Sequence, residues 1–286
     1  MSAPRQTTER EDPAKEHRGG NFDFASAAAT LTDAAARAGA AIMRHYHEGM
    51  KVELKEDKSP VTLADHASEK IILAALKRLA PDIPIVSEET ASDRSADLGP
   101  CFFLVDPLDG TKEFIEKRSD FTINVALIED GAPSFGLVYA PARGLLALTP
   151  ARGEAAEANL GPSEAGVDFS KLSLRPLHTR HPKPEGLIAV ASRSHLDPAT
   201  QEFLSKLKLA GSSNAGSALK FLLVARGEAD VYPRFGPTME WDTAAGQAVL
   251  SAAGGYVADT SGAPFRYGKS ESGLRNGGFV AWGKRP

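Results

Sequence analysis

Cys101-Phe-Phe-Leu-Val-Asp106-Pro-Leu-Asp109-Gly-Thr111-Lys-Glu-Phe114 sets the reading of the whole chain. An apolar run from Phe102 to Val105 ends abruptly in two aspartates, followed by Gly-Thr. An uninterrupted run of that length predicts a buried strand. Pro107 fixes one φ and Gly110 admits a positive one. Asp-Pro-Leu-Asp-Gly therefore predicts a turn where the strand leaves the core. Such a turn folds two carboxylates toward one point, where they repel each other unless a cation sits between them. Hard divalent cations, Mg²⁺ above all, take such oxygens and commonly share them with a phosphate. The stretch points to metal-assisted phosphate chemistry.

The rest of the composition narrows the class. The chain has 286 residues, 42% hydrophobic and 24% charged, which is ordinary globular usage. Its formal net charge of −4 offers no basic field for a nucleic-acid polymer. Cys101 is the single cysteine, so no intramolecular disulfide can form. It reads as a core thiol in a chain whose default compartment is the cytoplasm. No apolar run approaches the ~18 residues of a membrane-spanning helix. Residues 1–20 are polar and lack the apolar centre of a signal peptide, which predicts a disordered leader.

Working outward, Phe22 to Met50 carries Phe24, Ala28, Leu31, Ala35, Ala38, Ile42 and Tyr46 on one helical face, ending near Gly49. After a charged connection, a second helix is expected from about Thr62 to Leu79, and a short strand over Ile83 to Ser87. Beyond the central stretch, Phe121–Glu129, Pro133–Tyr139 and Gly144–Thr149 read as strands of an antiparallel meander. Asp130-Gly131 is the first turn between them. Pattern fades between Arg152 and Pro184, so the lobe boundary is expected there, giving lobes over 21–152 and 153–286. The second half alternates strand and helix, as an α/β lobe does. Its helices are expected over Pro198–Leu207, Ser217–Arg226 and Asp242–Ala253.

Acidic residues recur at the ends of these elements: Asp65, Glu88, Glu89, Asp106, Asp109 and Asp242. Each has a purely structural alternative. Thr62-x-x-Asp65 matches a capping box. Asp242 suits a helix N-cap. Glu88-Glu89 could be a solvated loop, and Asp106 and Asp109 turn formers. The capping and ligand roles are compatible, because a carboxylate has lone pairs to spare.

Taken together, Ser87-Glu88-Glu89, Asp106-Pro-Leu-Asp-Gly-Thr111 and Trp241-Asp242-Thr-Ala-Ala-Gly246 resemble the signatures of the inositol monophosphatase family. Order and spacing agree over nearly the whole chain after residue 22. Thr111-Lys-Glu-Phe, Gly216-Ser-Ala-Leu-Lys-Phe221 and Val231-Tyr-Pro-Arg-Phe-Gly-Pro237 resemble the family's bisphosphate nucleotidase branch. The resemblance implies an α/β (α+β) fold, a layered αβαβα sandwich of two lobes with the site between them. It also implies a lithium-sensitive phosphomonoesterase using two or three Mg²⁺. The implied reaction is hydrolysis of the 3′-phosphate of adenosine 3′,5′-bisphosphate to AMP and phosphate, with 3′-phosphoadenylyl sulfate as a second substrate. An inositol or sugar-phosphate phosphatase is the enzymatic alternative, and a metal-dependent nucleotide-binding protein the non-enzymatic one.

The same resemblance assigns Glu88, Asp106, Asp109, Asp242 and the Leu108 carbonyl to the metals. It gives Asp65 and Thr111 the nucleophilic water and counts Glu88 with them as catalytic. Gly110 and Thr111 would offer backbone N–H groups to the reacting phosphate at a helix start. Ser217, Lys220 and Arg234, with Asp242, would bind the rest of the substrate. The partner expected is a small phosphorylated molecule. Oligomeric state stays open, a homodimer included, as does peripheral attachment to the cytoplasmic face of the inner membrane, known for some relatives.

Overall fold

The structure, a computed structural model, describes residues 22–48, 52–54, 60–90, 98–192 and 197–284. The leader expected over 1–20, the helix end at Gly49 and the Asp57-Lys-Ser part of the connection lie outside the described residues.

The first half contains α1 (Phe24–Glu48), β1 (Val52–Leu54), β2 (Pro60–Thr62), α2 (Leu63–Leu79), β3 (Ile85–Ser87), β4 (Cys101–Asp109) and α3 (Thr111–Ile115). It continues with β5 (Thr122–Glu129), β6 (Ala132–Ala140), β7 (Leu145–Leu148), β8 (Ala156–Asn159) and β9 (Arg175–Pro176). β1 and β2 pair as a small hairpin. The others form a seven-stranded sheet in the order β3-β4-β5-β6-β7-β8-β9. Only β3 and β4 run parallel; every other neighbour is antiparallel. Asp130 (φ 51°) and Gly131 (φ 74°) make the two-residue turn between β5 and β6, the geometry that matches the strands' own twist.

This sheet runs past residue 152, where fading pattern put the lobe boundary, because β8 and β9 extend it to Pro176. Neither strand is long enough to show a two-residue period, and Arg175 and Pro176 are exposed. The crossing to the second sheet therefore falls between Pro176 and Leu187.

The second half contains β10 (Leu187–Ser192), α4 (Pro198–Ser205), β11 (Leu209–Ala215), α5 (Leu219–Ala225), β12 (Val231–Arg234) and β13 (Thr238–Met239). After them come α6 (Ala244–Ala252), β14 (Tyr256–Asp259), β15 (Arg275–Asn276) and β16 (Phe279–Trp282). Its five-stranded sheet has the order β11-β10-β12-β16-β14. β13 and β15 pair separately.

Three apolar clusters stack these elements into layers. Leu31, Ala35 and Ile42 of α1 and Ile72 and Leu76 of α2 pack on Phe103, Val105 and Leu127. Phe102, Leu104, Ala126 and Val138, from the opposite face of the same sheet, meet Phe221 and Leu222 of α5 and Ala245 and Val249 of α6. Leu187, Ala189 and Val231 on the outer face of the second sheet meet Phe203 and Leu204 of α4. The result is the expected αβαβα sandwich. It explains why β4 reads as a continuous apolar run: both of its faces are covered by helices. Phe103 is fully buried; truncating such a ring to Ala costs about 3–5 kcal/mol through lost burial and the cavity left behind.

Candidate active site

The strand β4 does not stop at Val105, as the sequence predicts. It pairs with β5 through Asp106 opposite Asn124, slips, and pairs again at Asp109 opposite Thr122. Pro107 and Leu108 thus face Ile123 alone, which is a bulge. Proline cannot donate to the ladder, so the chain accommodates it by bulging and then resumes pairing. Two contacts hold the bulge. Asp106 Oδ1 accepts the Leu108 N–H at 3.0 Å. Ser68 Oγ, from α2, donates to the Pro107 carbonyl at 2.7 Å. Gly110 then takes a left-handed φ of 91°, and α3 begins at Thr111. A side chain at Gly110 would also collide with Ser217 Oγ, which lies 2.3 Å from where a Cβ would sit.

Three other segments converge on this bulge. Glu88 follows β3, and its N–H donates to the Val105 carbonyl at 3.1 Å. Asp242 is not the N-cap of α6. It closes a 3₁₀ turn, Glu240–Asp242, one step earlier, and its Oδ2 accepts the Met239 N–H at 2.9 Å. Glu88, Asp106 and Asp242 each bring a carboxylate oxygen within 4.8 Å of one another. Burial, then Glu88, Asp109 and Asp242, hold the Asp106 carboxyl well above the usual carboxylate range. Burial, then Asp109 and Glu88, raise Asp242 as well. Such crowding is relieved by protons or by a cation. The donors are all carboxylate oxygens, so the residues fit a hard divalent ion. Asp109 stands next to the trio, and its Oδ2 accepts from Asn124 Nδ2 at 3.3 Å.

Asp65 makes the capping box that the sequence allows and also reaches Thr111. Its Oδ2 accepts the Thr62 N–H at 2.8 Å and the Thr62 hydroxyl at 2.7 Å, while Thr62 Oγ1 accepts the Ala64 N–H at 3.1 Å, which closes the capping box of α2. Its Oδ1 remains for Thr111, whose Oγ1 lies 3.4 Å away. The same hydroxyl is 3.3 Å from the Leu108 carbonyl, so its single proton has two acceptors. Burial raises the Asp65 carboxyl, and the Thr62 hydrogen bonds oppose that rise.

The opposite wall comes from the second half. Ser217 does not start a regular helical turn; it takes a φ of 48°, and α5 begins at Leu219. Its hydroxyl faces the carbonyls of Asp109 at 2.9 Å and Asp120 at 2.7 Å. Lys220 is buried, donates to the Ser217 carbonyl at 2.7 Å, and has its pKa brought down to about 8 by burial, against the pull of Asp109. Arg234 donates to the Pro237 carbonyl at 3.0 Å. Its Nε is buried and, among the described residues, finds no acceptor. Glu88, Asp109, Gly110, Thr111, Ser217, Lys220, Arg234 and Asp242 line one cleft of about 210 Å³. Asp65, Asp106 and Leu108 are buried.

Sequence reasoning missed three supports of this cleft: Ser68, Asn124 and Asp120. Asn124 carried a signal, being an amide inside the apolar strand β5. Asp120 and Ser68 carried none, since a lone polar residue in a loop or helix is ordinary.

The sequence model of the inositol monophosphatase family matches residues 23–281. The 3′(2′),5′-bisphosphate nucleotidase CysQ of Shigella flexneri is 45% identical over 246 residues, covering 85% of this chain and 94% of its own. The protein of the same description from Escherichia coli (strain K12) is 43% identical over 246 residues, with the same coverage of 85% and 94%. Among solved structures, CysQ from Bacteroides thetaiotaomicron superimposes with a TM-score of 0.78 at 38% identity, covering 93% of this chain and 100% of that one.

Proposed function

The chain belongs to the inositol monophosphatase family, and from that premise we propose that it is a Mg²⁺-dependent phosphatase acting on bisphosphonucleotides. It hydrolyses the 3′-phosphate of adenosine 3′,5′-bisphosphate to AMP and phosphate, with 3′-phosphoadenylyl sulfate as a second substrate. The observation that carries this reading is a single cleft with an anionic and a cationic side. Glu88, Asp109 and Asp242 line it together with Lys220 and Arg234. A phosphomonoester alone needs only the first side. A second phosphate gives the buried, acceptor-less Nε of Arg234 an anion to bind.

Glu88, Asp106, Asp109, Asp242 and the Leu108 carbonyl are the residues that would hold the metal. Magnesium supplies charge neutralisation at the phosphoryl oxygens and a more acidic water. The chain's own residues do the orienting. Thr111 donates its hydroxyl proton to Asp65 Oδ1, which leaves its lone pairs to accept from the attacking water. Asp65 is itself fixed by Thr62, so the water is aimed from a rigid helix start. The backbone N–H groups of Gly110 and Thr111, where α3 begins, would receive the departing phosphate. Water adds to phosphorus, the bond to the ribose 3′-oxygen breaks, and that oxygen leaves with a proton as the AMP hydroxyl. Such an enzyme clears a by-product of sulfate assimilation or sulfotransfer, which suits a cytoplasmic site of action. Among the described residues no helix is long and apolar enough to cross a membrane.

Phosphate release from adenosine 3′,5′-bisphosphate and from an inositol monophosphate, assayed in parallel with Mg²⁺, tests the reading. A clear preference for the nucleotide is expected, together with inhibition by lithium. Preference for the inositol ester moves the chain to the inositol phosphatases. Nucleotide binding without Mg²⁺-dependent phosphate release makes it a binding protein.

A further inference from the structure

Asp120 lies outside the metal cluster, at the far foot of the hairpin whose near foot is Asp109. β4 and β5 pair at Asp109 and Thr122, so the residues between them form one long loop that carries α3. The two feet of that loop are clasped by the second lobe. Ser217 Oγ sits 2.9 Å from the Asp109 carbonyl and 2.7 Å from the Asp120 carbonyl. The Asp120 carboxylate accepts the Gly216 N–H at 3.1 Å through Oδ2. Its other oxygen is held by Arg143, from the turn between β6 and β7. The side chain is almost fully buried, 3% exposed. The fit is close: a Cβ at Gly216 would meet Asp120 Cβ at 2.7 Å and the Asp120 carbonyl at 2.8 Å.

What Asp120 grips is the turn that launches α5. Ser217 is held there in the left-handed region, φ 48°, a conformation that costs a non-glycine residue and persists only when its surroundings impose it. Lys220 follows within the first turn of α5 and donates back to the Ser217 carbonyl at 2.7 Å. The register between Gly216 and Asp120 therefore sets how far Ser217 and Lys220 stand from Asp109.

We infer that Asp120 is a positioning residue that fixes the spacing between the carboxylate side of the cleft and the Ser217–Lys220 side, and so favours substrates that reach both. This rests on the bisphosphonucleotide reading above. Loss of Asp120 releases the turn and spares the bulge, whose own holding contacts come from Ser68 and the Leu108 N–H.

The test uses the full chain. Asp120→Ala is expected to raise KM for adenosine 3′,5′-bisphosphate about tenfold or more, the loss expected when a buried charged hydrogen bond is removed. kcat should stay within about threefold, and Mg²⁺ affinity by calorimetry within about twofold, margins well inside that loss. Asp120→Asn keeps an oxygen for Gly216 but loses the charge facing Arg143. It should recover most of the KM, leaving a rise of about threefold, as expected for a neutral in place of a charged hydrogen bond. If Asp120→Ala does not fold, Asp120→Asn carries the test by that KM shift alone. An unchanged KM in the folded variants overturns the inference, as does a parallel loss of Mg²⁺ affinity and kcat, which marks general collapse. The wild-type control separates the two levels: if wild type prefers the inositol ester, the functional reading fails and takes this inference with it. If wild type prefers the nucleotide and the variants keep its KM, only the inference fails.

Discussion

Asp65 and Asp242 sit in opposite halves of the chain and use the same local device. Each carboxylate accepts the backbone N–H of the residue three positions before it, Thr62 for Asp65 at 2.8 Å and Met239 for Asp242 at 2.9 Å. One oxygen is spent on shaping the chain, and the other is left over. What separates them is the company each carboxylate keeps. Asp65 Oδ1 meets a hydroxyl, that of Thr111. The Asp242 carboxylate stands within 4.8 Å of oxygens from two more carboxylates, Glu88 and Asp106. The first arrangement handles protons on a neutral donor; the second accumulates negative charge that only a cation or protons can settle. Asp230 completes the contrast. Arg180 takes both of its oxygens, at 2.9 Å each, and the Ile188 N–H takes one again at 2.7 Å. With nothing left over, that carboxylate is structural.

The largest effect should come from Asp242→Asn. Even a residue that merely supports a metal ligand is worth about 10–100-fold; losing a ligand should cost kcat/KM about 100-fold or more, with the fold intact by circular dichroism. Near-wild-type turnover would break the distinction between the two aspartates. Next is Thr111→Ala, which removes the partner of Asp65 and leaves the carboxylates untouched. A drop in kcat of about 100-fold is expected, at the lower end of what a positioned proton acceptor contributes. Mg²⁺ dependence of the rate should not move; a shifted metal midpoint would mean that the two sites are not separable.

Asp230→Asn should leave activity unchanged and lower stability by about 2 kcal/mol at neutral pH, as measured by urea denaturation. Burial by itself would raise the Asp230 carboxyl, but the Arg180 and Ile188 hydrogen bonds prevail and hold it below its ordinary value. A depressed carboxyl stabilises the fold above its unfolded pKa of about 4, and that contribution fades as pH falls through the native value. The difference between wild type and Asp230→Asn should therefore shrink below about pH 4. The smallest effect is Thr62→Ala, about 1 kcal/mol for a lost cap. Activity should fall only a few-fold, because the Thr62 N–H still holds Asp65. A loss as large as that of Thr111→Ala would show the hydroxyl to matter for chemistry more than for the cap.

Much of this was legible in the sequence because the chemistry is written in short contiguous runs. Asp106 to Thr111 announces itself, and the αβαβα layering follows once the motifs are placed. The errors have physical causes. A bulge looks like a turn in sequence, because Pro107 and Gly110 serve both; only the renewed pairing of Asp109 with Thr122 tells them apart. β11 left no apolar pattern, since Leu209-Ala-Gly-Ser-Ser-Asn is an edge strand with most side chains in solvent. A 3₁₀ turn before α6 reads like its first residues, so Asp242 passed for a cap. Asp120 was invisible, because its meaning depends on Gly216 and Arg143, both distant in the chain.

Glu88, Asp106 and Asp242, drawn from both halves of the chain, are proposed to form one cation site, while Asp65 serves Thr111. Calorimetric titration of Mg²⁺ into Asp242→Asn and Thr111→Ala, side by side with wild type, tests it without reference to activity. Asp242→Asn should bind at least about tenfold more weakly, the smallest penalty consistent with removing a ligand, and Thr111→Ala should bind like wild type. Wild-type affinity in Asp242→Asn, or equal losses in the two variants, would contradict it.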